Sequence, residues 1–379
     1  MKKFIKKALF LMVLLFSTIF AVKATDTNLP QKPNLIPIAM ATDNNYVYPT
    51  IVAMTSVLET KREDTFIDFN IMISGKVDNE NKLKLKKLEK LYKNCSVNLI
   101  DMQSVLSKME NIPPSMAIPT FYRLAMPSVF QKYDKIIYLD GDIIVAKDLW
   151  EMFSTDLEDN YIGGGLDAPI IKTHKTTDYA ARLGMDGIDS YINAGVLLMD
   201  LKKLREDNME KVFYEFIPEL KTRKLRCKDQ DTLNSTCYGK IKILPKEYNL
   251  FSKYYVAELT DAPLSENQST DPTIIHFAGR AKPWKTTSTN AYKIWEKYNK
   301  IALEKIYDGK NPYEKLTQKT PKPKATKENK KPTSKAKENA TKSKNNKKDT
   351  PQKKKKPKVD ATQNGKSNKS NSAPKNNKK

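Results

Sequence analysis

The strongest constraint on this chain is a regular alternation of short β-branched runs with longer helical stretches from Leu35 to Leu139. Leu35–Ala41 reads as a strand, with Pro37 tolerable only near its start. Val47–Thr60 follows at helical spacing, with Ile51, Met54, Val57 and Leu58 on one face. Phe66–Ile73 alternates as a second strand, and Asn81–Lys93 predicts an amphipathic helix with Leu85, Leu88 and Leu91 inward and its lysines outward. Ser96–Ile100 is a third strand, Thr120–Gln131 a helix and Lys135–Leu139 a fourth strand. This βαβαβ order predicts an α/β class with a mostly parallel sheet and helices on both faces. Such sheets take their ligands in the crevice beyond the carboxyl ends of the strands. The residues just after each strand are therefore where chemistry is expected.

Three strand ends are polar. After the first come Asp43 and Asn45, where Asp43 can accept from a base or ribose; an Asx turn or helix cap before Val47 explains it equally well. No Gly-x-Gly-x-x-Gly occurs at that turn, which argues against a nicotinamide cofactor. The fourth strand runs into Asp140-Gly141-Asp142 with apolar residues on both sides. Two acids in a buried run are costly without a cation, and alternation along an extended chain points both the same way. They are expected to converge on one divalent metal, with Gly141 letting the backbone approach a ligand closely. A surface turn with solvated carboxylates is the bland alternative. The third end is Ile274-Ile275-His276, followed by Gly279, Arg280 and Lys282. The chain has 2 histidines; His174 lies in a polar loop, whereas His276 closes a strand. Two carboxylates, one imidazole and open positions suit Mn²⁺ or Mg²⁺, with phosphate oxygens completing the shell and Lys282 neutralising a phosphate.

The net charge of +23 would suggest a polyanion-binding protein if it were evenly spread. It is concentrated at the two ends. From Pro321 to Lys379 there are about 21 Lys against about 4 acids, and Lys2, Lys3, Lys6, Lys7 and Lys23 precede Ala24. The middle is nearly neutral, so a nucleic-acid groove within the fold is not expected. Residues 1–24 read as a signal peptide: a basic start, an apolar run from Ala8 to Val22, then small residues at a cleavage site. An uncleaved signal anchor is the alternative, and its lysines would put the rest of the chain outside the cytoplasm. An exported protein, periplasmic, secreted or delivered to a host, is thus expected. Residues 316–379 are Lys, Asn, Pro, Ser and Thr with almost nothing to bury, so a disordered tail is expected. It serves as a solubilising segment or as an attachment to an anionic surface such as lipid head groups. The 3 cysteines lack the spacing of a zinc ribbon.

Four ordered motifs carry a family resemblance. They are Tyr138-Leu139-Asp140-Gly141-Asp142, the run from Tyr191 to Asp200 that holds Asn193-Ala194-Gly195, Asp229-Gln230-Asp231, and the run from His276 to Trp284. In order and spacing they resemble glycosyltransferase family 8, which includes bacterial lipopolysaccharide galactosyl- and glucosyltransferases and the glycogenins. The resemblance implies a GT-A fold, a Rossmann-like mostly parallel sheet, over residues 33–315. It also implies a UDP-sugar donor, Mn²⁺ (or Mg²⁺), a glycan or lipopolysaccharide-type acceptor and retention of anomeric configuration. By the same resemblance Asp140, Asp142 and His276 are the metal ligands, and Ala41, Asp43 and Asn45 meet uridine. Gly279 and Lys282 meet the diphosphate. Arg123 touches the donor sugar and a metal-site carboxylate, while Asn193, Ala194, Asp229 and Gln230 form the sugar pocket and Asp167 is an acceptor-side acid. Gln230 stands where a double displacement would need a nucleophile, and an amide is a poor one. Front-face transfer is therefore expected, with Asp231 as the nearest carboxylate alternative. Two other functions compete: a non-catalytic member of the fold that binds anionic polymer through its tail, and a nucleotidyltransferase, which would release pyrophosphate rather than UDP.

Overall fold

The computed structural model describes residues 34–106, 118–258 and 262–313. The expected signal segment (1–24) and Lys-rich tail (316–379) lie outside the described residues. The strands are β1 (Asn34–Thr42), β2 (Thr65–Ile73), β3 (Cys95–Asp101), β4 (Lys135–Leu139), β5 (Ile143–Val145), β6 (Ile162–Leu166), β7 (Ile192–Asp200), β8 (Ile241–Ile243), β9 (Leu250–Phe251) and β10 (Ile274–His276). Among the described residues, seven of them form one sheet in the order β3-β2-β1-β4-β7-β6-β8, and three form a second, β5-β10-β9. The first four in chain order are mutually parallel, as the alternation predicts. Strand β7 runs antiparallel to both β4 and β6, and β8 returns parallel to β6. The sheet is GT-A-like: mostly parallel, with one reversed strand inside it.

Helices and loops pack an apolar core on each face. Along β4, Ile137 and Leu139 enter one core while Ile136 and Tyr138 enter the other, the alternation of a strand buried on both sides. The helix Val47–Thr60 has its expected bounds, yet every residue from Val47 to Leu58 is buried, not one face alone. It lies between the sheets and the helix Tyr292–Tyr307. Tyr48 meets Tyr307 edge to face at 5.1 Å there, and a helix covered on every side needs apolar or small residues all round. The amphipathic helix spans Asn79–Leu91 rather than Asn81–Lys93, because the Asp78 side chain accepts from Asn81 N and starts it earlier. Leu85 and Leu88 are buried as expected, but Leu91 is 43% exposed at the last turn.

Two departures shape the site. The helix expected over Thr120–Gln131 is instead three short pieces: Ile118–Phe121, a 3₁₀ turn Tyr122–Ala125, and Met126–Val129. Pro119 and Pro127 lack amide donors, and Pro127 opens the third piece, so one continuous ladder cannot form. The buried 3₁₀ turn carries Arg123. The second departure is the stretch Ile136–Val145, which is not one strand. The chain leaves the main sheet at Leu139 and enters the second sheet at Ile143, so Asp140-Gly141-Asp142 is the connecting turn. The alternation of an extended chain is therefore not what aims the two carboxylates. Among the described residues no helix is long and apolar enough to cross a membrane.

Candidate active site

The turn between β4 and β5 is pinned at both ends by different sheets. Asp140 N donates to Gly195 O of β7 at 2.8 Å, and Phe277 N, just past β10, donates to Asp142 O at 2.9 Å. These bonds bring the aspartates to His276, the last residue of β10. His276 Nε2 lies 3.4 Å from Asp142 Oδ1 and 4.0 Å from Asp140 Oδ2. One ligand atom from each of the three lies within 4.8 Å of the others. Hard carboxylate oxygens with one imidazole nitrogen are the donor set of a Mn²⁺ or Mg²⁺ site. The space is kept open by Gly195, where an added Cβ would fall 2.4 Å from His276 Cε1 and 2.8 Å from Asp140 Oδ2. The expected triad is thus brought together. Gly141 lines the cavity described below, and an added Cβ there would fall 2.5 Å from Thr50 Oγ1. Its missing side chain also lets the turn approach the Val47–Thr60 helix.

Charge around the triad is balanced by two cations. Burial alone would raise the Asp142 carboxyl, but His276 and Lys282 overcome it and hold that group well below the ordinary carboxylate range. Lys282 bonds to Asp142 Oδ2 and donates to Phe277 O at 2.8 Å. The second cation, Arg123, is buried beneath Asp140. It reaches Asp140 Oδ1 at 2.9 Å and Asp229 Oδ2 at 3.1 Å, bonds to the Ala194 carbonyl, and lies 4.3 Å over the Tyr138 ring. Tyr138 in turn donates to Asp140 Oδ1 at 2.9 Å. Burial of the guanidinium works against its charge, yet Asp140, Tyr138 and Asp229 hold it protonated. Asp229, at the start of the helix Asp229–Thr236, is pushed up to about 6 by burial, with Arg123 opposing and Asp140 adding to the rise.

A cavity of about 240 Å³ opens beside this cluster, lined by Ala41, Asp43, Tyr46, Arg123, Asp140 and Asp142 among others. Asp43 Oδ1 accepts from the amides of Asn45 and Tyr46 at 2.9 and 3.0 Å, so the Asx turn is formed, and Asp43 lines the cavity. Asn45 does not line the cavity; its side chain is exposed, and its carbonyl takes a bond from the Tyr313 hydroxyl. Gly279 lies in the exposed loop before Lys282 at φ 90°, a conformation that suits glycine.

The remaining expected residues form one hydrogen-bonded cluster. Gln230 Oε1 accepts from Asn193 Nδ2 and from Ala194 N, both at 3.0 Å, and Gln230 Nε2 donates to Asp167 Oδ2 at 3.0 Å. Asp167 also caps the helix Ala168–His174 through Ile170 N. Asp231 is apart from this group. It is fully buried, and its oxygens accept from the Tyr179 and Tyr191 hydroxyls and from Cys227 N. Tyr138 and Gly195 stand within the sequence motifs without an expected role, and Asn249 was not singled out from the sequence. Asn249 Oδ1 lies 2.9 Å from His276 Nδ1, placed there by the parallel pairing of β9 with β10. A single Asn before a two-residue strand carries no motif that would have marked it.

Comparison with known proteins gives a consistent result. The model of the family described as Glycosyl transferase family 8 matches residues 37–288. The chain is 27% identical over 262 residues to the lipopolysaccharide 1,2-glucosyltransferase of Escherichia coli, covering 65% of this chain and 72% of that protein. It is 28% identical to glycosyltransferase GlyF of Streptococcus pneumoniae, covering 71% of this chain and 62% of that one, less than two thirds of its length. Among solved structures it is similar to the galactosyltransferase LgtC in complex with donor and acceptor sugar analogues. The TM-score is 0.59 at 27% identity, covering 71% of this chain and 96% of that one.

Proposed function

The chain belongs to glycosyl transferase family 8, and from that premise we propose that it moves a hexose, glucose or galactose, from a UDP-sugar to a hydroxyl of a glycan or lipopolysaccharide-type acceptor with retention. The observation that carries this reading is the Asp140, Asp142 and His276 cluster at the edge of a cavity that Asp43 also lines. These three residues would hold Mn²⁺ or Mg²⁺, which supplies Lewis-acid neutralisation of a departing diphosphate. The chain's own groups do the rest. Ala41 and Asp43 meet the nucleoside, with the Asp43 carboxylate as the acceptor for base or ribose. Lys282 offers its ammonium to a phosphate oxygen at the moment charge develops there. Arg123, fixed by Asp229 and the Ala194 carbonyl, keeps Asp140 oriented and borders the sugar with Asn193 and Gln230.

Retention by front-face transfer is supported by how the groups around Gln230 are engaged. The Gln230 amide is spent on Asn193, Ala194 and Asp167, and the Asp231 carboxylate is enclosed by two tyrosines and an amide. Asp229 is paired with Arg123. Each carboxylate near Gln230 is thus engaged, which favours attack by the acceptor hydroxyl from the leaving-group side, with a donor phosphate oxygen taking the proton. The signal segment is read as exporting the protein, or as anchoring it with this domain outside the cytoplasm. The Lys-rich tail is read as contacting an anionic surface. The test of the central reading is incubation of the purified protein with a panel of UDP-sugars, with and without Mn²⁺. Metal-dependent release of UDP and a product of unchanged anomeric configuration are expected. Release of pyrophosphate, or of nothing, would overturn it.

A further inference from the structure

A chain of side-chain amides runs from Asp167 to the metal-site histidine. Asn193 Nδ2 donates to Asp167 Oδ2 at 3.1 Å, and Asn193 Oδ1 accepts from Gly195 N at 2.9 Å and from Asn249 Nδ2 at 3.0 Å. Asn249 Oδ1 then meets His276 Nδ1 at 2.9 Å. Asp167, Asn193, Asn249 and His276 are all buried. The direction of every bond is forced. A carboxylate accepts and a backbone N–H donates, so Asp167 and Gly195 together leave Asn193 one orientation of its amide. Its oxygen then demands the amino group of Asn249, which turns the Asn249 oxygen toward the imidazole. An amide oxygen only accepts, so Nδ1 carries a ring proton, and in the neutral ring Nε2 keeps its lone pair toward Asp140 and Asp142.

We propose that Asn249, oriented through Asn193 by Asp167 and the Gly195 amide, is a positioning residue that fixes His276 in the Nδ1–H tautomer and so sets the affinity of the site for a divalent cation. The proposal rests on the metal-site reading above and gives Asp167 a task besides any contact with the acceptor. A hydrogen-bonded partner on the far nitrogen of a ligating histidine fixes its ring and tautomer, and losing one costs about 10- to 100-fold in metal affinity. Because the relay ends on a neutral amide, its effect is directional rather than a transfer of charge.

The chain's 2 histidines make the test direct. Full-length protein labelled with ¹⁵N at histidine is studied without metal, at a pH where the ring carries one proton, and His174→Gln assigns the two spectra. Wild type is expected to show His276 protonated at Nδ1. Asn249→Leu, close in size but without an acceptor, is expected to populate the Nε2–H form and to bind Mn²⁺ about 10- to 100-fold more weakly, read from the electron paramagnetic resonance signal of free Mn²⁺. Asn249→Asp keeps an acceptor and is expected to keep the Nδ1–H form. A packing role alone would leave the tautomer unmoved in Asn249→Leu. Wild-type His276 protonated at Nε2, or equal Mn²⁺ affinity in wild type and Asn249→Leu, would overturn the proposal. If Asn249→Leu fails to fold, the wild-type tautomer and Asn249→Asp still test the relay, and an Nε2–H ring in either overturns it. Wild type that binds no Mn²⁺ would refute the metal-site reading separately.

Discussion

Replacing Asp229 by Asn is expected to stabilise the fold while damaging the enzyme. The buried carboxyl is raised from its ordinary 3.8 to about 6, chiefly by burial. Because the folded-state value lies above the unfolded one, its contribution to stability is fully present below pH 3.8 and is lost as the pH rises through about 6. The gap corresponds to about 3 kcal/mol against the folded state at neutral pH. Asn carries no such cost, so at pH 7.5 the variant should be more stable by up to about 3 kcal/mol, less whatever the Arg123 contact contributes. At pH 5 the wild-type carboxyl is mostly protonated in the folded state, and the advantage should shrink by about 1.4 kcal/mol. The assay is urea unfolding of metal-free wild type and variant at the two pH values, and the difference between them cancels groups that titrate alike in both. Turnover should fall by about 100-fold, because Arg123 loses one of the two carboxylates that aim it. A variant less stable than wild type at pH 7.5, or an advantage that does not change with pH, would refute the reasoning.

Three further outcomes are expected. Gly195→Ala places a methyl where His276 Cε1 and Asp140 Oδ2 now sit; it should cost about 1–3 kcal/mol in urea unfolding and weaken Mn²⁺ binding, and wild-type Mn²⁺ affinity would show that His276 is not needed there. Lys282→Met should lower kcat/KM for the UDP-sugar by at least about tenfold and also lower the unfolding midpoint at neutral pH, because buried Asp142 loses the ammonium that holds it ionised; unaltered steady-state kinetics would remove Lys282 from the donor site. Asp231→Asn leaves the Tyr179 and Tyr191 hydroxyls and Cys227 N short of acceptors, so it should cost about 1–3 kcal/mol of stability with kcat of the folded enzyme little changed. A sugar ester trapped on Asp231 by mass spectrometry would reverse the front-face assignment.

The first half of the fold was legible because its signals are local. Alternation in Phe66–Ile73 and helical spacing in Val47–Thr60 are properties of the residues themselves, and both elements lie where they were expected, to within a residue. The reversed strand β7 was not legible, since its apolar run from Ile192 to Met199 suits a parallel or an antiparallel neighbour equally. The break in Thr120–Gln131 was within reach: Pro119 and Pro127 stand in plain view, and giving them full weight would have ended the helix. For the site, the motifs named the triad, but not what fixes it. Asn249 lies 27 residues before His276, and only the pairing of β9 with β10 brings it to the imidazole.

The aspartate pair shows why the right residues can be reached for an incomplete reason. Two ionised carboxylates are expensive inside an apolar run, and that cost rightly marks Asp140 and Asp142 as exceptional. An unbroken strand would send Asp140 and Asp142 to one face of one sheet, where a histidine from another sheet has no route to them. The chain breaks the strand instead. Asp140 stays tied to β7 of the large sheet through Gly195 O, while Asp142 is tied beyond β10 of the small sheet through Phe277 N. The distance between the two carboxylates is therefore set by how the two sheets are placed, and His276, as the last residue of β10, moves with the second of them. The site is a joint between sheets, which is why a glycine with no room for a methyl and an amide relay are needed to hold it.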